Sequence, residues 1–320
     1  LTPDVSLNWH REFARTIITR NQSPDISFDR SINPYRGCEH GCIYCFARPS
    51  HNYLGHSAGR DFERELYFKT NAVDLLRKEL SSKNYAAAPI ALGVNTDAYQ
   101  PHERRLRLTR ALLEVLAEHN HPVTIITKSG LVRRDIDLLA PMAEKGLTRV
   151  AISLTTLQPE LARIMEPRAA SPSLRLKTVE ALTRAGIPVT IMTAPIIPCI
   201  NESEIESLLE AGRRAGATHA GYVLLRLPYD LKDIFHEWLV THFPDRALRV
   251  INTLRSMRGG LDYDADWFQR GRGQGPLARL IGSRFHKALA RFEYDRTRTK
   301  LRTDLFRKPD KPSSQMALDL

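Results

Sequence analysis

From about residue 30 onward, short apolar runs rich in β-branched residues alternate with longer stretches whose apolar positions recur every three or four residues. Runs such as VTIIT (123–127) and VTIMTAPII (189–197) are apolar nearly throughout, as strands covered on both faces are. The pattern predicts strands at 31–35, 89–95, 122–128, 148–155, 188–196 and 220–227. It predicts helices between and after them at 71–81, 104–119, 133–145, 173–185, 202–215 and 231–242. These helices are long enough for right-handed crossovers between parallel strands. Gly146, Gly186 and Gly216 each stand between a predicted helix and the next strand, where glycine ends helices.

An α/β fold follows: a parallel sheet of six βα units, curved into a partial (βα)6 TIM-type barrel. Six units are too few for the closed eight-unit barrel. An open doubly wound sheet would show the same periodicity. Around this core the chain divides into an irregular N-terminal extension (1–30), the partial barrel (31–243), a helical basic C-terminal region (244–294) and a basic flexible tail (295–320). The C-terminal region holds predicted helices at 246–257 and 277–292, joined by a glycine-rich loop. No internal repeat stands out beyond the βα rhythm.

Composition narrows the class. With 42% hydrophobic and 26% charged residues, the chain is neither disordered nor fibrous. No apolar run reaches the length of a membrane span, and the first residues lack the pattern of a signal peptide. A cytoplasmic location without membrane association is expected. The net charge is +11, and the stretch 270–311 carries thirteen Lys/Arg against four Asp/Glu. Such a local basic excess suggests a polyanionic partner, nucleic acid first; a solvated basic surface is the plainer explanation.

Three of the four cysteines, Cys38, Cys42 and Cys45, fall within eight residues, spaced C-x3-C-x2-C. Structural disulfides would be spread out to close long loops, so the cluster points to a metal site. Three adjacent thiolates can hold three irons of a [4Fe-4S] cubane and leave the fourth open. Gly37 and Gly41 let the backbone turn around it. A Cys3His zinc site completed by His40 or His51 is the alternative.

This spacing, with aromatic Tyr44 before the last cysteine and the motif following the first predicted strand, resembles the radical S-adenosylmethionine (SAM) signature. The segments YCFARPSHNYLG and NTDAYQPHE resemble the branch related to spore photoproduct lyase, which is DNA-repair-photolyase-like; the resemblance spans residues 31 to 227. It implies a [4Fe-4S] cluster held by Cys38, Cys42 and Cys45, and SAM as second cofactor. It also implies reductive cleavage of SAM to a 5′-deoxyadenosyl radical. Tyr44 matches the aromatic position near adenine. Thr96 and Asp97 stand where the family often has Gly-Gly-Glu for the methionine amine, a departure that leaves the ligand open. Ser153 and Thr155 match the ribose position. Arg168 is a candidate partner of the SAM carboxylate, oriented by Glu166.

Cys199, just past the fifth predicted strand, is a candidate hydrogen-atom donor, and Tyr99 and Tyr222 are candidate radical relays. Core packing is the competing reading for all three. The last residues, 315–320 (QMALDL), resemble the short peptide by which bacterial replication and repair proteins bind the sliding clamp. The resulting expectation is a radical SAM enzyme acting on nucleic acid, by lesion repair or base modification. An electron donor such as flavodoxin or ferredoxin, and a sliding clamp bound through 315–320, are its expected partners. Radical modification of a peptide, RNA or small molecule is one alternative. An iron–sulfur redox sensor that binds nucleic acid is another.

Overall fold

The computed structural model describes residues 6–297 and 299–309. Its strands are β1 (Asn8–Glu12), β2 (Ile18–Arg20), β3 (Arg30–Ile32), β4 (Tyr35–Arg36), β5 (Glu65–Lys69), β6 (Ile90–Leu92), β7 (Val123–Thr127), β8 (Thr148–Ser153), β9 (Val189–Ile196) and β10 (His219–Leu224). The main sheet has the order β10-β9-β8-β7-β6-β3-β2. From β3 to β10 every neighbouring pair is parallel. These six strands are the six predicted, and their spatial order follows their order in the chain. That excludes a doubly wound sheet, whose order reverses at a switch point. β10 and β2 remain as two open edges, so the barrel is partial.

The strands form because alternate positions are wholly buried while their neighbours stay partly covered. Val123, Ile125 and Thr127 of β7 lie in the core, and Leu92 sits between Ile32 and Ile125 in register. Helix Leu108–Glu118 buries Leu112, Leu113, Val115 and Leu116 on the face turned to the sheet. Each such side chain contributes about 1.5–3 kcal/mol of burial. Helix Pro172–Arg184 starts where Pro172 presets the first turn and the Ser171 hydroxyl accepts the Leu174 N–H.

The predicted helix 104–119 is two helices, Glu103–Leu106 and Leu108–Glu118, split at Arg107, whose φ is 53°. The cause is Glu103. Its buried carboxylate accepts the N–H groups of Thr109 (2.9 Å) and Arg110 (3.3 Å), sitting at the positive end of the second helix.

Two expectations need correcting. The N-terminal extension is not irregular: β2 pairs antiparallel with β3, and β1 joins β5 and β4 in a small second sheet. β1 (NWHRE) and β4 are short and polar, so no apolar run announces them. Residues 299–309 do not form a loose tail either. The Arg302 N–H donates to the Gly146 carbonyl (3.0 Å), the Arg307 N–H to the His119 carbonyl (3.0 Å), and Phe306 packs edge-on against His121. His119 and Gly146 precede β7 and β8, so this strap crosses the N-terminal ends of the strands. Part of the basic stretch 270–311 thus lies at the opposite end of the barrel from the cysteine loop.

His121 is fully buried there, its Nδ1 3.0 Å from the Pro122 carbonyl and its Nε2 2.7 Å from the Tyr85 hydroxyl. Burial pushes its pKa down to about 4 from 6.5. The folded state therefore holds the neutral ring while the unfolded chain takes up a proton, and stability falls as pH drops from 6.5 toward 4. The full linkage is about 3 kcal/mol. Urea titrations at pH 7 and pH 4.5 on wild type and His121→Gln check this: the variant should lose less stability than wild type over that interval.

Candidate active site

The loop that follows β4 carries all three clustered cysteines across the C-terminal ends of the parallel strands. It is tied on both sides. The Thr96 hydroxyl, past β6, donates to the Gly37 carbonyl (2.6 Å). The Ile43 N–H donates to the Met165 carbonyl (3.0 Å), and the Arg168 N–H to the His40 carbonyl (3.2 Å), both past β8. Gly37 and Gly41 have φ of 73° and 67°. A Cβ on Gly37 would stand 2.7 Å from the Phe62 carbonyl, and one on Gly41 would collide with the Arg168 guanidinium. Both positions therefore need glycine, for conformation and for space.

Arg48 is the inner brace of this loop. It is 1% exposed. Its guanidinium donates to the carbonyls of Cys42 (2.9 Å), Gly41 (3.1 Å) and Gly59 (2.7 Å), and pairs with Glu63 (2.5 Å). A buried arginine that serves several main-chain carbonyls holds the curve of the loop rather than its sequence. All four cysteines are free. Cys38 and Cys42 are buried and Cys45 is half-buried. Burial pushes the Cys42 thiol up to about 12 and raises the Cys38 thiol well above its ordinary value.

Asp97, beyond the end of β6, is buried and fully engaged. It accepts from Thr127 Oγ1 (2.7 Å), the Tyr99 N–H (2.8 Å) and the Lys128 N–H (2.9 Å), and it pairs with His40 Nδ1 at 3.3 Å. Burial would raise its pKa, but the His40 ring and these donors hold it well below the usual carboxylate range. Glu166 gathers a second group. It accepts from the Tyr44 hydroxyl, from Thr155 Oγ1 (2.9 Å) and from the Arg175 guanidinium, all buried. Arg175 also donates to the Ser153 carbonyl (3.1 Å). The Lys128 ammonium lies 5.6 Å from the centroid of the Tyr44 ring. Burial favours its neutral form, but Cys42 and Glu166 keep it charged.

The fold thus brings Thr96 and Asp97, past β6, and Thr155 and Arg168, past β8, to the loop that carries Tyr44. Arg168 reaches the loop differently from expectation: its guanidinium pairs with Glu63 and donates to the Glu39 carbonyl. Ser153 is buried at the end of β8. Cys199 has φ 63°, and its Sγ lies 3.9 Å from Thr253 Oγ1 on helix Ala247–Ser256. Tyr99 is fully buried, its hydroxyl raised by burial and by Asp135. Tyr222 packs on Phe285 under Arg272. His40 pairs with Asp97, and His51 Nε2 lies 2.8 Å from the Glu65 carbonyl. Among the described residues no three His, Cys, Asp or Glu side chains converge as ligands of one ion would.

Sequence reasoning missed Arg48, Lys128, Arg175 and Asn201. Asn201 is 1% exposed and stitches two strand ends together, its amide donating to the carbonyls of Thr155 (2.8 Å) and Pro195 (3.0 Å). Lys128 left a signal: it is the charged residue that ends the apolar run VTIIT.

A family model described as the radical SAM superfamily matches residues 32–212, from β3 through helix Ile205–Arg214. The chain belongs to the radical SAM superfamily. Members of that family use a [4Fe-4S] cluster and SAM. Uncharacterized proteins of Mycobacterium tuberculosis and Mycobacterium bovis are 37% identical over 226 residues, 70% of this chain and 66% of theirs. An uncharacterized protein of Methanocaldococcus jannaschii is 29% identical over 174 residues, 54% of this chain and 62% of its own. This radical SAM chain therefore aligns with just under two thirds of the length of the relatives it matches.

Among solved structures, spore photoproduct lyase complexed with dinucleoside spore photoproduct superposes with a TM-score of 0.63 at 17% identity, covering 89% of this chain and 79% of that one. A mutant of that enzyme with bound AdoMet and dinucleoside spore photoproduct also gives 0.63, at 16% identity and the same coverage. At such identity the likeness is one of fold. Among the described residues no helix of this radical SAM protein is long and apolar enough to cross a membrane.

Proposed function

We propose that Cys38, Cys42 and Cys45 hold the [4Fe-4S] cluster of a cytoplasmic radical SAM enzyme whose substrate is nucleic acid. The observation that carries this reading is the braced cysteine loop at the C-terminal ends of the parallel strands. The donor set fits the group. The thiols are free, and a cubane takes them on separate iron atoms, so they need not converge on one point. Buried thiols with raised pKa values give up their protons when a metal takes them. When bound, the cluster and SAM supply a 5′-deoxyadenosyl radical by reductive cleavage. The protein's part is position and exclusion of water. Lys128 offers a positive charge to a carboxylate, Asp97 holds His40 and the start of the loop past β7, and Glu166 fixes Tyr44 and Thr155.

The nucleic-acid half of the reading is supported on the β10 side of the loop. Phe46, directly after Cys45, is 41% exposed. The Arg226 guanidinium stands 5.1 Å from its ring centroid and 5.9 Å from that of Tyr263, and donates to the Tyr263 hydroxyl (3.1 Å). Tyr53 and Tyr229, both exposed, flank the Asn52–Asp230 hydrogen bond (2.8 Å). Exposed rings beside a guanidinium suit the stacking of unpaired bases. A base inside a duplex would have to leave the stack to reach this rim.

The test is anaerobic reconstitution with iron and sulfide, then dithionite and SAM, with and without lesion-bearing oligonucleotide. Formation of 5′-deoxyadenosine supports the chemistry. Oligonucleotide binding that weakens with salt supports the substrate class. A cluster that never cleaves SAM would turn the reading toward a redox sensor.

A further inference from the structure

The basic stretch 270–311 is unevenly compensated. Arg270 pairs with Asp25 (2.5 Å), Arg284 with Glu206 (2.6 Å) and Arg302 with Asp304 (2.6 Å). Helix Gly275–Arg291 holds cations without such partners, and its sequence contains no Asp or Glu. Its apolar face, Ala278, Ile281, Phe285 and Ala288, is buried against the barrel. The opposite face is exposed and carries Arg279, Ser283, Lys287 and Arg291, each four residues after the last. None of these three cations is within ion-pair distance of a carboxylate among the described residues. Glu206, whose charge reaches Arg291, is gripped by Arg284 through both Nε (2.9 Å) and Nη2 (2.6 Å).

Spacing decides what this face fits. Residues four apart form one ridge along a helix, and at 1.5 Å per residue its steps are about 6 Å. Successive phosphates of an extended polynucleotide strand follow one another on that scale. Two arginines, a lysine and a hydroxyl can therefore each meet a phosphate in turn. The ridge also leads to the site. Where the helix starts, the Gln274 N–H donates to the Met257 carbonyl (2.9 Å). The next residue, Arg258, donates to the carbonyls of Leu225 (2.5 Å) and Arg270 (3.2 Å), and Leu225 adjoins Arg226 of the aromatic rim. Past its other end, the Asp295 N–H donates to the Thr218 carbonyl (2.9 Å), just before β10. We propose that this ridge carries the phosphodiester backbone of a single-stranded nucleic acid alongside β10 to the rim at Phe46, Arg226 and Tyr263. The proposal rests on the nucleic-acid reading given above and adds the path of the strand. Phosphate contacts here fix position and direction, while the rings at the rim receive bases. An anionic membrane fits the ridge less well. A helix lying on a membrane needs a free apolar face, and here that face is in the core.

The experiment follows binding of a fluorescein-labelled single-stranded oligonucleotide to the full chain by anisotropy, across a salt series. In Arg279→Gln/Lys287→Gln/Arg291→Gln the affinity should fall about a hundredfold near 0.1 M salt, and the salt slope should drop by about 2, at about 0.7 per lost contact. The three side chains are exposed and glutamine suits a helix, so the melting temperature should not move. Arg279→Lys/Arg291→Lys keeps the charge and should keep the slope. Arg104→Gln/Arg105→Gln/Arg133→Gln removes as much charge from exposed side chains past β6 and β7, and should cost less than about tenfold. Equal affinity and slope in wild type and the ridge variant overturn the proposal and leave the nucleic-acid reading standing. Equal losses in the two glutamine triples overturn it as well, since net charge rather than the ridge would then hold the strand. Loss of binding to phosphatidylglycerol vesicles in the ridge variant, with oligonucleotide binding intact, assigns the ridge to a membrane surface instead. A wild type that binds no oligonucleotide sinks the nucleic-acid reading and this proposal together.

Discussion

Replacing Cys42 with alanine is expected to lower 5′-deoxyadenosine formation by about a thousandfold or more, a rise of about 4 kcal/mol in the barrier. The fold should survive. Only a thiol leaves, and what Arg48 grips at this position is the Cys42 carbonyl, which alanine keeps (2.9 Å). The thermodynamic cost is therefore about 1 kcal/mol, ordinary for a single buried substitution. Iron content and turnover should fall together while the urea midpoint hardly moves. A Cys42→Ala protein that loads iron and cleaves SAM at the wild-type rate would remove Cys42 from the ligand set. A protein that unfolds would leave Cys45→Ala, at a half-buried position, as the cleaner variant.

The barrel was legible because its strands are locally self-announcing. VTIIT and VTIMTAPII are fully buried on one face and at least partly covered on the other, and each is followed by an amphipathic helix and a glycine. The small sheet was not, because β1 and β4 owe their pairing to β5 rather than to any apolar pattern of their own. The packing of residues 299–309 goes unannounced for the same reason, while 310–320, with the peptide at 315–320, lie outside the described residues. Proline and charge suggested mobility, yet Leu305 and Phe306 find apolar cover on the far end of the barrel.

The site divides along the same line. The cysteine spacing is a short-range motif, and the sequence displays it whole. What braces it is long-range. Tyr44 and Glu166 are 122 residues apart, Arg168 and Glu63 are 105 apart, and Asp97 meets His40 only after β6 has been laid beside β3. A carboxylate in a helix-rich sequence reads as a solvated charge until its partner is known. For that reason Glu166 could be named beside Arg168 from the sequence, while its actual partner, Arg175, could not.

The second large effect is expected at that pair. Glu166→Ala should destabilise the protein by about 3–5 kcal/mol, because Arg175, 1% exposed, would be left as an uncompensated buried charge. Its remaining bonds, to the carbonyls of Ala170 (2.8 Å) and Ser153 (3.1 Å), do not replace the carboxylate. Glu166→Ala also releases the hydroxyls of Tyr44 and Thr155. Tyr44 immediately precedes Cys45, so the loop should loosen and reconstituted iron should fall along with stability. Arg175→Met alone should be similarly costly, since it strands Glu166. The double variant Glu166→Ala/Arg175→Met should be less destabilised than the two single changes summed, because neither charge is left behind. Urea denaturation of the four proteins measures this coupling. Strict additivity would mean that the two side chains act separately, and that the brace under Tyr44 is hydrogen bonding to Glu166 alone.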